Sequence, residues 1–192
     1  MDCSERDRGT WRTAWRALER AYAEGRARAI GVSNFDASLL AELLEFASVA
    51  PHVVQNFLGF PYDLEDAALA LARKEGIFFQ AYAALRTPAE HLDRSDARTA
   101  RDAFEKVGDL AAALGRGDSA FALLTRYLAG KGVGTFPRTN DPAHLAENLV
   151  TGGKNKRAAK GKLLAPEDAA RVAAALRGEA AAAAAAAAEA EL

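Results

Sequence analysis

With 192 residues, half of them hydrophobic, the chain has enough apolar surface for a well-buried core and is not composed like a disordered segment. Its 25 basic and 26 acidic residues leave a formal charge of −1, without the basic excess of a general nucleic-acid binder. Cys3 is the single cysteine, which excludes a disulfide framework, and no apolar run has the length of a membrane span or the form of a secretory signal. A cytoplasmic protein that engages neither nucleic acid nor membrane is expected.

The first element expected is a helix over Thr10–Glu24. Four short apolar stretches then read as strands buried on both faces: Ala29–Val32, Val53–Phe57, Ile77–Tyr82 and Val133–Phe136. Between them run stripes of helical period. Leu39, Leu40, Leu43, Leu44 and Ala47 follow Asn34-Phe35-Asp36; Leu64, Ala67, Ala68, Leu71 and Ala72 follow Asp63; Phe121, Leu124, Thr125 and Leu128 follow Asp118-Ser119. The first three strands start near residues 29, 53 and 77, a steady repeat of 24, whereas the fourth starts 56 residues later and leaves room for an extra helix around Ala97–Leu114.

Strands alternating with amphipathic helices predict right-handed βαβ crossovers and a parallel sheet. A closed eight-unit barrel needs about 250 residues. The expected fold is therefore α/β, a partial TIM-type barrel of about four parallel strand–helix units with the extra helix before the last strand, over residues 8–150. Residues 151–192 read as a basic linker, Lys154 to Lys162, and a helical low-complexity tail with nine alanines at Ala180–Ala188.

In such folds the working residues lie at the carboxyl ends of the strands. Those ends carry Ser33-Asn34, Gln55-Asn56, Gln80-Ala81-Tyr82 and Pro137-Arg138-Thr139-Asn140. Ser, Asn and Gln both donate and accept hydrogen bonds, which suits a carboxamide better than a proton transfer, and Tyr82 offers a face for a flat ring. Arg138 and Thr139 precede Asp141-Pro142, a cap and first helical position whose amides, beside an arginine fork, suit a phosphate unless the Asp141 carboxylate faces it. Gly115-Arg116-Gly117-Asp118-Ser119-Ala120 fits a dinucleotide fingerprint in spacing only, because it follows a helical segment rather than a strand. His52, His91 and His144 have no metal-ligand spacing, and no metal site is expected.

Three stretches resemble the aldo-keto reductases, β/α barrels that use NADPH to reduce carbonyls. Thr10-Trp11-Arg12-Thr13-Ala14-Trp15-Arg16-Ala17-Leu18-Glu19 begins the match, and Gly31-Val32-Ser33-Asn34-Phe35 is similar to the family's G-V-S-N-F. Pro137-Arg138-Thr139-Asn140-Asp141-Pro142-Ala143-His144-Leu145-Ala146-Glu147-Asn148 keeps the spacing of P-K-S-x-x-P-x-R-x-x-E-N. The resemblance implies an NADP(H) site in which Ser33, Asn34 and Gln55 hold the nicotinamide carboxamide and Tyr82 stacks on the ring. Arg138 and Thr139 would take the 2′-phosphate, with His144 where the family usually has an arginine, and Glu147 and Asn148 would contact the adenine. Ala83-Ala84-Leu85 replaces the usual Ser-Pro-Leu.

The family's catalytic Asp, Tyr, Lys and His have no counterpart here, so no catalytic residue is assigned. The expected function is the cofactor-binding half of an NADP-dependent carbonyl or aldehyde reductase, inactive alone. The alternatives are a half-enzyme completed through exposed strand edges by a complementary half barrel or a second copy, and a non-catalytic interaction module.

Overall fold

The structure, a computed structural model, describes residues 8–59, 62, 64–85, 94–148 and 163–177. The chain forms two compact units, one from Met1–Phe57 and Asp63–Ala81, the other from Leu58–Tyr62 and Tyr82–Leu192.

The first unit runs α1 (Arg8–Ala23), β1 (Gly31–Ser33), α2 (Ala37–Phe46), β2 (Val53–Phe57), α3 (Ala67–Lys74) and β3 (Phe78–Tyr82), whose final residue belongs to the second unit. Asp36 and Asp66 start α2 and α3 by accepting the amide protons of Leu39 and Leu69, each at 2.8 Å, which satisfies donors that a helix start leaves open. The cap at Asp66 explains why α3 begins three residues after Leu64, where the apolar stripe sets in. β1 and β2 are parallel with Gly31, Val32 and Ser33 opposite Val53, Val54 and Gln55. β3 is the next strand, and the Phe78 amide donates to the His52 carbonyl at 3.0 Å at the start of this pair.

Burial alternates along β3: Phe79 and Ala81 are buried while Phe78, Gln80 and Tyr82 are not. Val54, Phe79 and Ala81 lie in the core with Leu39, Leu40 and Leu43 of α2 and Leu69 and Ala72 of α3. Gly31 permits the close approach of β1 to β2, since a Cβ there would lie 2.4 Å from the Val53 carbonyl oxygen. α1 is tied to the end of α2 by Glu19, whose carboxylate accepts from the amides of Ser48 (2.6 Å) and Val49 (2.9 Å) and from Arg16 (2.7 Å).

The second unit contains α4 (Arg94–Ala113), α5 (Ala120–Gly130), β4 (Val133–Phe136), α6 (Pro142–Asn148) and α7 (Pro166–Leu176). Ser119 caps α5 by accepting from the Ala122 amide at 3.2 Å. The core holds Val107, Leu123, Leu124, Leu128, Val133 and, from α7, Val172 and Ala175. Arg116 reaches Asp168 of α7 at 3.1 Å, and the half-buried pair Asp118–Arg126 closes at 3.0 Å.

β2 and β4 have the expected bounds. β1 lies at 31–33 rather than 29–32, β3 starts one residue later than expected, and the extra helix before β4 is α4 with α5 after it. Gly115 and Gly117 have φ of +62° and +74° in the link between α4 and α5, so the G-x-G-x-x-A spacing indeed follows a helix. α7 falls within the stretch expected to be a helical alanine-rich tail, although the sequence reading centred that tail on Ala180–Ala188 and gave it no packed core residues. Pro166 opens it, and Glu167 and Asp168 in its first turn suit the positive end of the helix dipole. The basic run Lys154 to Lys162 and the alanines Ala180–Ala188 lie outside the described residues.

Candidate functional site

Ser33 ends β1, exposed, opposite Gln55 of β2. Partner residues in a parallel pair direct their side chains to the same face, so these two share one. Asn34 follows with φ +60°, a left-handed conformation that asparagine tolerates better than most residues, and its amide donates to the Gln55 carbonyl at 3.0 Å. Asn56 faces the other way. Its Oδ1 accepts from the Phe35 amide at 3.2 Å and its Nδ2 donates to the Phe35 carbonyl at 2.6 Å, which pins the turn carrying Ser33 and Asn34.

Gln55 Nε2 donates to Gln80 Oε1 at 2.8 Å. Ser33, Gln55 and Gln80 therefore form a row across β1, β2 and β3, all neutral and all hydrogen-bonding. Above and below that row the same face carries Phe57 and Phe78, 46% and 50% exposed.

In the second unit Tyr82 is half-buried at the end of β3. Ala83 follows at φ +58°, a conformation a residue with a Cβ adopts at a cost, and the Tyr62 hydroxyl donates to the next carbonyl, that of Ala84, at 2.8 Å. Burial pushes the Tyr62 phenol well above its ordinary range, so it stays a donor.

After β4, Arg138 is exposed and Thr139 half-buried. Thr139 Oγ1 accepts from the Asp141 amide at 3.0 Å, and Asp141 Oδ1 accepts from the Ala143 amide at 2.7 Å. Asp141 is thus the expected cap of α6, and its carboxylate occupies the helix start where the sequence suggested a phosphate. The other groups of this segment with the chemistry to meet an anion are the Arg138 guanidinium and the Thr139 hydroxyl. His144 is exposed on α6, and Asn148, its last residue, is half-buried. Glu147 Oε2 accepts from Ser119 Oγ at 2.6 Å, so this carboxylate joins α6 to the cap of α5.

The structure brings Ser33 and Gln55 together in the first unit, with Asn34 beside them, and gathers Arg138, Thr139, His144, Glu147 and Asn148 around α6 in the second. Sequence reasoning placed Gln80 and Asn56 among the hydrogen-bonding strand ends without assigning either a partner, and it passed over Tyr62. The signal for Gln80 was its period-two spacing between Phe78 and Tyr82. Among the described residues no group of three or more His, Cys, Asp or Glu side chains is placed to hold a metal ion, and no helix is long and apolar enough to cross a membrane.

The sequence profile of the Aldo/keto reductase family matches residues 5–157. The chain belongs to this family. Among its relatives are a probable NAD(P)H-dependent D-xylose reductase of Emericella nidulans, 33% identical over 149 residues that make up 76% of this chain and 46% of the relative, and an NAD(P)H-dependent D-xylose reductase of Scheffersomyces stipitis, 32% identical over 70% of this chain and 42% of the relative. The chain spans less than half the length of these two reductases. Similar solved structures include Gox0644 without ligand (TM-score 0.63, 24% identity, 85% of this chain and 52% of that one) and an aldo/keto reductase from Brucella melitensis (TM-score 0.61, 21% identity, 86% and 54%). Gox0644 has also been solved as a mutant in complex with NADPH, with a TM-score of 0.63, 21% identity and coverage of 88% and 54%. At these identities the likeness carries the fold, which is that of a partial TIM-type β/α barrel.

Proposed function

We propose that this chain is the cofactor-holding part of an NADP(H)-dependent carbonyl reductase and reduces no carbonyl alone. The observation that carries the reading is the register that sets Ser33 opposite Gln55 in a row of neutral hydrogen-bonding side chains. Such a row matches a carboxamide, which needs a donor and an acceptor and no charge. Ser33, Asn34 and Gln55 hold the carboxamide, and Tyr82 stacks on the nicotinamide ring. Arg138 and Thr139 take the 2′-phosphate, with His144 beside them on α6. Asn148 meets the adenine, and Glu147 meets it with the carboxylate oxygen that its bond to Ser119 leaves open. A bound cofactor would supply the hydride, and no residue of this chain is assigned as the proton donor. Family membership and the NAD(P)H dependence named for its relatives support the assignment.

Titration of the chain with NADPH, followed by the cofactor's fluorescence, tests it. Saturable binding is expected, and Arg138→Ala is expected to weaken NADPH by at least tenfold while leaving NADH unchanged, since a lost charge-assisted bond is worth about 1.5–3 kcal/mol. Turnover of a simple aldehyde by the chain alone, or no binding of NADPH, would overturn the reading.

A second reading concerns completion of the fold. Phe57 and Phe78 expose much of their apolar surface on one face of adjacent strands, and β1 has β2 as its neighbour on one side in the sheet order. A complementary β/α half fits that face, because relatives of about twice this length share the fold.

A further inference from the structure

We infer that Ser119 is a positioning residue for the adenine end of the site, holding the Glu147 carboxylate by one oxygen and leaving the other for the base. The inference rests on the adenine reading above and names what keeps that contact in place. α6 is seven residues long and none of them is buried, so apolar packing does not fix its rotation about its own axis. A helix in this state needs a tie to something rigid. Glu147 supplies it: Oε2 accepts the Ser119 hydroxyl proton at 2.6 Å, and Ser119 is the only hydrogen-bonding partner of this carboxylate among the described residues.

Ser119 is itself pinned. Its Oγ accepts from the Ala122 amide at 3.2 Å, a group that can only donate, so its single proton is directed to the Glu147 carboxylate, which can only accept. Behind this cap stands α5, anchored by the buried Leu123, Leu124 and Leu128. The neighbouring Asp118 carboxylate is paired with Arg126 at 3.0 Å, so its charge is matched beside Glu147. The two oxygens of Glu147 are equivalent, and turning the carboxylate over changes nothing: whichever one Ser119 takes, the other is left to accept from a ligand. The amino group of adenine is a donor and meets that oxygen, whereas the oxo group of hypoxanthine is an acceptor and is repelled by it. Holding the carboxylate in advance lowers the ordering cost of binding.

The test measures two probes on the full chain by fluorescence titration: NADPH, and its analogue in which hypoxanthine replaces adenine. The wild type is expected to bind NADPH the tighter. Ser119→Gly, which costs a helix cap little but removes the hydroxyl, is expected to cut that preference by about tenfold. Ser119→Thr keeps both the cap and the proton donor and should keep the preference. Glu147→Met should lose at least what Ser119→Gly loses, and the double variant no more than Glu147→Met alone, because the two act through one carboxylate. A residue that only capped α5 would change both affinities alike and leave their ratio where it was.

An unchanged ratio in Ser119→Gly, equal losses in Ser119→Thr and Ser119→Gly, or a further loss in the double variant would overturn the inference and leave the proposed function standing. A wild type that binds the two probes equally would overturn it too, while keeping the phosphate contacts of the site. A wild type that binds neither probe removes the proposed function and the inference with it. If Ser119→Gly fails to fold, as its thermal transition would reveal, Ser119→Asp takes its place. Aspartate caps as well as serine and has no proton to give, so the same loss is expected and its absence overturns the inference.

Discussion

Gly31 and Asn34 are three residues apart, and each is there for a backbone reason. Gly31 lies so close to β2 that a methyl group would sit 2.4 Å from the Val53 carbonyl oxygen, and a strand backbone cannot move aside as a flexible side chain does. Gly31→Ala is expected to cost about 2–3 kcal/mol by pushing β1 off its neighbour, as overpacking of tight cores does. A fall in the urea midpoint of that order would confirm it; an unchanged midpoint would show that the strands can part at no cost. The same substitution is expected to weaken NADPH binding, because it displaces Ser33 two residues on. Asn34 supplies the left-handed turn at the strand exit, a conformation few side chains accept as well.

At the level of elements, the joint between α1 and α2 is electrostatic as well as apolar. Desolvation pushes the Glu19 carboxyl up, but the Val49 amide, Arg16 and the Ser48 amide together outweigh it and hold the group below its ordinary value of 4.5. A carboxyl lowered on folding adds stability above its unfolded pKa and loses it as pH falls through the folded one. The chain is thus expected to lose stability from about pH 4.5 downward, with part of that loss absent in Glu19→Gln. Thermal midpoints of the two proteins between pH 3 and 7 check this, and parallel curves would refute it. The strands were legible in sequence because each is a compact apolar run and the first three recur every 24 residues. α7 was legible only as part of a helical tail: Ala169, Ala170, Ala173, Ala174 and Ala175 blend into the alanine-rich composition beside them, and only packing reveals that Val172 and Ala175 are buried. The partner of Gln80 was not legible because a side-chain pair between strands exists only once their register is known. The family motifs pointed to Ser33, Arg138 and Thr139, but a motif does not say that Glu147 is held by Ser119.

For the whole molecule, the relevant fact is proportion. The chain covers about half of each similar structure and shares their fold, and the completion reading has a complementary half cover one face of its strands. Phe57 and Phe78 stand on that face in the first unit. The isolated chain is expected to self-associate at micromolar concentration, and the double variant Phe57→Lys, Phe78→Lys to run as a monomer, as read by light scattering behind a sizing column. A monomeric wild type would show that the face needs no cover, and the completion reading would fall.

The grip of Asn56 on Phe35 also has a consequence in time. A side-chain amide that bonds both the N–H and the C=O of one residue offers what a neighbouring strand's backbone would offer. β1 is three residues long by its own pairing, yet its protection extends two residues further, through the Asn34 amide on Gln55 and the Phe35 amide on Asn56. In deuterated water the Phe35 amide is expected to exchange on the slow timescale of the strand core rather than the fast one of a loop, and Asn56→Ala to return it to loop-like exchange. The turn that carries Ser33 and Asn34 would thus open only when the sheet beneath it opens.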